Sequence, residues 1–131
     1  MAESHGCESS VARLLLESAR QDENAVAALC SASDIGDAIV GFHVQQALEK
    51  ALKAVLSSNA IVFRRTHDIA ELLDLLADSG LPPPPEAETL DELSPYAVEA
   101  RYGLVNLSGL DRQKIRMTVR LVLAWAEERI G

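Results

Sequence analysis

Residues 41–56 read GFHVQQALEKALKAVL, and the order of apolar and polar residues in this stretch predicts a long α-helix. The apolar residues recur at the i, i+3, i+4, i+7 spacing of one helix face. With Phe42 set at 0° and about 100° per residue, they occupy an arc from about 140° to about 280°. This predicted core face consists of Val44, Ala47, Leu48, Ala51, Leu52 and Val55. The helix is expected to run from about Asp34 to Ser58, with Ser33 or Asp34 as its N-cap.

The opposite side of this helix carries amides, charges and one aromatic ring. Phe42 lies in the middle of the polar arc, and Ile35, Ala38 and Ile39 lie on the same side one or two turns earlier. A helix that must bury two sides is central in its fold or lies at a subunit interface. Three covers for Phe42 remain open: another helix of the same chain, a second copy of the chain, or a ligand.

One helix precedes the central helix. It is expected to start after Ser9 or Ser10 and to reach about Ser31, behind a flexible tail of residues 1–8. A polar interruption at residues 21–24 is either a bend or a solvated turn.

A shorter helix follows the central one. Thr66 is expected to cap it, and the helix runs from His67 to about Ser79 with Gly80 as its C′ residue. The four prolines at residues 82–85 cannot be helical, and they predict an extended polyproline II connector.

Two more helices complete the predicted fold. The fourth follows the acidic residues after the prolines, is broken near Pro95 and ends by Gly103; the last starts after residues 108–109 and continues to Arg129. No useful stretch alternates with period two, so no strand is predicted. Short connections favour an all-α antiparallel bundle of about five helices, formed as one domain by residues 9–131.

Composition and charge narrow the functional classes. The chain has 131 residues, of which 48% are hydrophobic and 24% charged, as in a folded globular domain. The net charge of −8 lacks the global basic footprint of a domain that binds nucleic acid through phosphates, although Arg112, Lys114, Arg116 and Arg120 cluster locally.

Cysteine usage and hydropathy predict a cytoplasmic protein without a membrane segment. Cys7 and Cys30 form no CxxC pair and are expected to be reduced thiols. The N-terminus has no apolar signal core, and no apolar stretch approaches about 18 residues. No cluster suggests a metal site, and no cofactor is expected.

The stretch from Gly41 to Leu56 resembles the signature helix of the HEPN domain family, whose usual form is FHxQQAxEKxLKAxL. Two weaker matches follow in order: RTHDI at residues 65–69, which is similar to a "THDL" helix start, and ARY at residues 100–102, which is similar to the end of the fourth family helix. The residues that match in the first motif are Phe42, His43, Gln45, Gln46, Ala47, Glu49, Lys50, Leu52, Lys53 and Ala54.

The resemblance implies a helical bundle that commonly forms homodimers and belongs to one of two functional groups. Some members are metal-independent ribonucleases, often toxins, with an Arg-x4–6-His motif late in the domain. Others lack that motif, resemble nucleotide-binding or partner domains, and commonly occur next to a minimal nucleotidyltransferase. Here Arg101 is followed by no histidine, since the last histidine of the chain is His67. No catalytic residue is therefore assigned.

The expected function is that of a binding or partner protein that works with a separately encoded nucleotidyltransferase and binds a nucleotide or other anion. One alternative is a degenerate ribonuclease of toxin–antitoxin type that cleaves RNA, and another is a structural dimer without a ligand. The start of the third helix, with Arg64 and Arg65 just before it, also suits an anion. The candidate binding residues are Phe42, His43, Gln46, Glu49, Lys50, Lys53, Arg64, Arg65, His67, Asp68, Arg101 and Tyr102.

Overall fold

The structure, a computed structural model, describes the backbone of residues 2–90 and 111–131 and the side chains of residues 10–90 and 111–131. Within these ranges the chain forms helices and no strand, which confirms the predicted all-α fold of about five helices. The helices are α1 (Ala2–Cys30), α2 (Asp37–Ser58), α3 (Ile69–Asp78), α4 (Ala87–Leu90) and α5 (Arg112–Ile130). The predicted course of the fourth helix past Pro95 to Gly103 lies outside the described residues.

Helix α2 is the centre of the fold, and it packs against α1, α3 and α5. Every residue of the predicted core face is fully buried, from Val44 to Val55. Burial also extends around the helix to Gln45, Glu49 and Ala54. The sequence predicts a second buried side for the first half of the helix, but the extra burial lies in the second half, whereas Ile39 on the Phe42 side of the first half is 52% exposed.

The helix starts differ from those predicted. Helix α1 begins at Ala2 rather than after Ser9 or Ser10, and it continues without a bend through residues 21–24. Whether residues 1–8 form a flexible tail, and residues 9–131 a single domain, stays a prediction. Ser33 and Asp34 do not cap α2 as predicted; they lie in the turn before it, where the Ile35 N–H donates to the Ala32 carbonyl oxygen.

The cap of α2 is Gly36, whose extended backbone makes no side-chain capping bond. Helix α3 starts two residues later than predicted, because Asp68 rather than Thr66 is its N-cap. The Asp68 carboxylate accepts a hydrogen bond of 3.0 Å from the Ala70 N–H, while Thr66 Oγ1 accepts one of 3.0 Å from the Asp68 N–H. Both side chains suit a capping role, and the short turn formed by Thr66 precedes the true helix start.

The end of α3 follows the prediction that Gly80 is its C′ residue. Gly80 has a φ of +75°, its N–H donates to the Ala77 carbonyl, and the Leu81 N–H donates to the Leu76 carbonyl. This pair of bonds is a Schellman motif, which satisfies carbonyl groups left open by the last helical turn. The prolines that follow are not helical, as predicted.

Helix α2 ends in the same motif but with alanine at the left-handed position. Ala60 has a φ of +59°, its N–H donates to the Ser57 carbonyl, and the Ile61 N–H donates to the Leu56 carbonyl. Glycine avoids the steric cost of a Cβ in this conformation. We therefore expect Ala60→Gly to raise the free energy of unfolding by about 0.5–1 kcal/mol, measured by urea denaturation.

Ala77→Gly is the control for this substitution, because Ala77 is exposed in the last turn of a helix with ordinary helical backbone. Glycine there is expected to lower stability by about 0.5–1 kcal/mol. A loss of stability in Ala60→Gly as well would contradict the expected relief of strain.

The Arg112 side chain joins the ends of three helices. Its guanidinium donates to the carbonyl oxygens of Leu29 and Ala32 at the end of α1, and to that of Ile35 before α2. Its Nε also donates a hydrogen bond of 2.9 Å to Asp37 Oδ1 in the first turn of α2. A single cation at the start of α5 thus adds a second hydrogen bond to the Leu29 and Ala32 carbonyls, which also accept from backbone N–H groups, and places a positive charge at the C-terminus of α1.

Cys30 lies beside this junction. Its Sγ donates to the Arg112 carbonyl oxygen at 3.6 Å, and burial raises the pKa of the thiol against the lowering effect of Arg116 and Arg112. Across the described part of the chain, no helix combines the length and apolarity needed to cross a membrane.

Candidate functional site

A buried carboxylate, Glu49, organises one side of the polar arc of α2. The side chain is 4% exposed, and three groups reach it. Gln45 Nε2 donates to Oε2 at 2.6 Å, Lys53 Nζ donates to Oε1 at 2.6 Å, and His67 Nδ1 lies 3.0 Å from Oε1. The Gln45 amide also donates to the His67 carbonyl oxygen at 3.2 Å, which fixes the segment before α3 against α2.

The side chains around Glu49 differ in their exposure to solvent, and this difference decides which of them a ligand can reach. The His67 side chain is 51% exposed, whereas that of Lys53 is only 14% exposed. Because Nδ1 faces Glu49, the other ring nitrogen, Nε2, is the one left to meet solvent or a ligand. Lys53 is covered by Phe63, whose ring centroid lies 5.8 Å from Nζ. The network therefore presents one histidine and part of one lysine at its outer edge.

A second carboxylate holds a histidine and a lysine on the α1 side of α2. Asp22 of α1 accepts a hydrogen bond of 2.7 Å from Lys50 Nζ, and its other oxygen lies 3.1 Å from His43 Nδ1. The Asp22 side chain is 13% exposed, so both partners pair with it in a partly dry setting. The two clusters share one pattern, in which a carboxylate holds a histidine by Nδ1 and a lysine by Nζ.

Gln46 and Phe42 lie on the strip of α2 between the two clusters. Gln46 Nε2 donates to Gln45 Oε1 at 3.0 Å, which links the strip to the Glu49 network. Phe42 is half-buried, and its ring meets that of His43 edge-on with 5.5 Å between centroids. One turn earlier, Ile39 is 52% exposed, so this end of the strip offers apolar surface. We call the strip and both clusters the polar face of α2.

The arginines before α3 differ in their availability. Arg64 donates from Nε and Nη2 to the Glu71 carboxylate at 2.6–2.9 Å, and this side-chain hydrogen bond raises the pKa of Arg64. Arg65 is exposed and makes no hydrogen bond or ion pair with the other described side chains. Arg64 is therefore already neutralised, and Arg65 is the arginine that remains open to an anion.

The expected anion site at the start of α3 is partly filled by the chain itself. Asp68 places its own carboxylate on the Ala70 N–H, so its negative charge lies where an incoming phosphate would bind. Any anion on this side must instead contact His67 and Arg65. Arg101 and Tyr102, the remaining two candidate residues, lie outside the described residues.

Two residues of the polar face, and one beside it, are absent from the candidates predicted from the sequence. Asp22 lies among the polar residues 21–24 of α1, and no pattern in the sequence indicates that this part of α1 faces α2. Gln45 matches the family signature but was left out of the candidate set, although it touches both Glu49 and His67. Glu71, one turn into α3, is the partner of Arg64.

The arrangement suits binding or proton transfer more than metal chemistry. A histidine held at Nδ1 by a carboxylate has a fixed tautomer and direction, as in many acid–base sites. Within residues 10–90 and 111–131, no group of three or more His, Cys, Asp or Glu side chains is placed to hold a metal ion. A separate groove of about 520 Å³ between α1 and α5 shares no residue with the polar face.

A comparison with protein families finds one match. The model of the HEPN domain matches residues 12–129, a span that runs from α1 to α5 and includes both clusters. This match confirms the resemblance drawn from the residue order of α2. No curated protein and no solved structure matches the chain.

Proposed function

Because the chain belongs to the HEPN domain family, we propose that it is a binding and partner protein for a separately encoded minimal nucleotidyltransferase. In this proposal the polar face of α2 binds a nucleotide or another anion. The sequence supports a member without ribonuclease activity, since no histidine follows Arg101 in the Arg-x4–6-His arrangement.

The observation that carries the proposal is the buried Glu49 network. Removing a carboxylate and a lysine from water is costly, and apolar residues of the same volume would often stabilise a helix pair as well. A network that is retained at such a cost and opens to solvent at His67 is suited to holding side chains in fixed positions for a ligand. The same reasoning applies to Asp22 with His43 and Lys50.

Charge on the polar face is balanced, which limits the ligands that fit. Lys50 and Lys53 are each paired with a carboxylate, so neither cluster has excess positive charge while its histidine is neutral. A lysine ammonium has three donors, and one carboxylate bond leaves others for a phosphate oxygen. Together with Arg65 and His67 Nε2, these donors support modest affinity for a nucleotide. Its phosphate would contact the donors, and its base would stack near Phe42.

A homodimer is part of the proposal, and the apolar end of the polar face supports it. Ile39 is 52% exposed beside the half-buried Phe42, at the N-terminal end of a helix whose other sides are covered. A second copy that covers this strip would bury both side chains and enclose the polar face. Light scattering on the purified protein measures this directly, with a mass of two chains expected.

Calorimetric titration of the purified protein with ATP, GTP and their monophosphates tests the nucleotide proposal. We expect saturable heat from at least one nucleotide and at least a tenfold weaker affinity in Lys53→Met, because a donor near the phosphate is lost. Lys114→Met is the matched control, since Lys114 is an exposed lysine of α5. Coexpression with a neighbouring nucleotidyltransferase is expected to yield a copurifying complex.

The result that would sink the proposal is the absence of both effects: no heat from any nucleotide and no complex with the nucleotidyltransferase. A dimer by light scattering in that case would leave the structural dimer without ligand as the better description. Thermal unfolding of Lys53→Met must show a folded protein before its titration is interpreted.

RNA cleavage is the second candidate, and the His67–Glu49 pair is the observation that favours it. The carboxylate fixes Nδ1, and the exposed ring directs Nε2 outward, as a general base requires. Incubation of wild type and His67→Ala with total RNA tests this. Cleavage that is lost in the variant supports a ribonuclease, whereas the same absence of cleavage in both removes it.

A further inference from the structure

The run of four prolines between α3 and α4 has a backbone that follows from its sequence. Pro82, Pro83 and Pro84 each have φ fixed near −65° by their own ring, and each is held extended in ψ by the proline that follows. The described peptide bonds include no cis bond. Three successive residues with these angles form a turn of left-handed polyproline II helix.

Burial along this segment follows the three-residue period of that helix. Pro84 is buried and Leu81, three residues earlier, is half-buried against the core, so these two share the inner edge. Pro82 and Pro83 are exposed and lie on the two outer edges. Pro85 continues the edge of Pro82 and is half-buried. One edge thus anchors the segment to the domain, and the other two face solvent at Pro82 and Pro83.

Both ends of the segment are held in place. At its start, Gly80 adopts φ +75° and the Leu81 N–H donates to the Leu76 carbonyl, which ties the segment to α3. At its end, Glu86 has φ +59°, and its carboxylate accepts a hydrogen bond of 2.6 Å from Thr118 Oγ1 of α5. We call residues 81–86 the proline strap. Its conformation is set before any partner arrives.

The charged residues that flank the proline strap along the sequence have one sign, although α5, which bonds Glu86 through Thr118, carries Lys114 one turn away. Asp78, Glu86 and Glu88 are exposed near its two ends. No lysine or arginine occurs from Thr66 to Ala100. A groove that takes this strap would therefore be complementary if its rim were basic.

We propose that the proline strap is a docking segment for a protein domain that binds polyproline II helices in an aromatic-lined groove with a basic rim. Such grooves recognise prolines through the shape of a helix that has little conformational entropy left to lose. The strap meets this requirement more fully than a free peptide, because the fold already fixes both of its ends. The strap shares no residue with the polar face of α2, so this inference does not rest on the proposed function.

The simpler role of a rigid connector predicts no binding, and a titration distinguishes the two. The intact protein is titrated with purified SH3, WW and EVH1 domains chosen for basic residues at the rim of the groove, and binding is followed by the fluorescence of a dye attached to each domain. We expect saturable binding by at least one class. In Pro82→Ala/Pro83→Ala we expect at least a tenfold weaker affinity, because two exposed contact rings are lost.

Controls separate docking from folding and from nucleotide binding. Both replaced prolines are exposed, so the double variant should still unfold cooperatively, with only the small loss of stability that follows when two prolines no longer restrict the unfolded chain, and its nucleotide titration should be unchanged. Glu88→Gln tests the charge: it is expected to weaken binding about twofold to fivefold at low salt and less at high salt. If the double variant unfolds, Pro83→Ala alone takes its place.

The proposal is overturned if none of the three domain classes binds the wild-type protein. It is equally overturned if the double variant binds as tightly as wild type, because contact through the exposed prolines would then be excluded.

Discussion

Replacing Arg112 by alanine is expected to lower the free energy of unfolding by about 3 kcal/mol, measured by urea denaturation. The guanidinium donates to three carbonyl oxygens and to Asp37 Oδ1, and all four hydrogen bonds are lost together, while the Leu29 and Ala32 carbonyls each keep a bond from a backbone N–H. The side chains of Arg112 and Asp37 are 21% and 25% exposed, so water recovers part of the loss. For this reason we expect less than the full effect of breaking a deeply buried pair.

Two further variants make this prediction specific. Arg129→Ala removes an exposed arginine from the last turn of the same helix, and stability should change by less than about 0.5 kcal/mol. Arg112→Lys keeps the positive charge but loses the planar guanidinium with its several N–H donors. Its free energy of unfolding should therefore lie between those of Arg112→Ala and wild type. A loss in Arg112→Ala no larger than that in Arg129→Ala would contradict the proposed junction.

The second large effect is expected at Glu49. Glu49→Ala should lower the free energy of unfolding by about 2–4 kcal/mol, because Gln45 and Lys53 lose a buried partner. The estimate allows for the partial access of Lys53 and His67 to water. Urea denaturation measures the loss, and Glu128→Ala, at an exposed glutamate of α5, is the control with little expected change.

Glu49→Gln separates the role in folding from the role in positioning. The amide keeps the size of the side chain and can still accept a hydrogen bond, so the loss of stability should be smaller. His67 is then no longer held by a charged partner. The loss in the free energy of nucleotide binding should therefore exceed the loss in the free energy of unfolding. Equal stability of Glu49→Ala and wild type would mean that the network contributes nothing to the fold.

Local patterns predicted the core of α2 well and its polar side less well. The 3.6-residue period placed all six predicted residues of the core face in the interior, because apolar residues are buried whichever helices cover them; Val40 and Leu56 are buried as well. Gln45 and Glu49 were placed on the polar arc by residue type, yet both are buried. The segment around His67, which follows α2 in the chain, covers both side chains. Where this segment lies against α2 depends on tertiary packing and not on the period of the helix.

Helix caps show a similar limit. Thr66 and Asp68 are both good capping residues, and only the backbone of the turn decides that Asp68 caps α3. The pairings of Asp22 with Lys50 and of Arg64 with Glu71 were also hidden. The Asp22–Lys50 pair depends on how α1 is rotated against α2. The Arg64–Glu71 pair depends on the conformation of the loop before α3, and residue spacing determines neither.

The junction at Arg112 also bears on how the chain folds as it is synthesised. Asp37 and Arg112 are separated by 75 positions, and at about 5–20 residues per second the ribosome needs roughly 4–15 s to make that stretch. Throughout this interval α1 and α2 can pair, but the Ile35 carbonyl and the Asp37 carboxylate lack the donor that Arg112 provides. The contacts between α1, α2 and Arg112 are complete only when the start of α5 leaves the ribosome. A nascent chain that ends before α5 therefore lacks the Arg112 hydrogen bonds at the connection between its two longest helices.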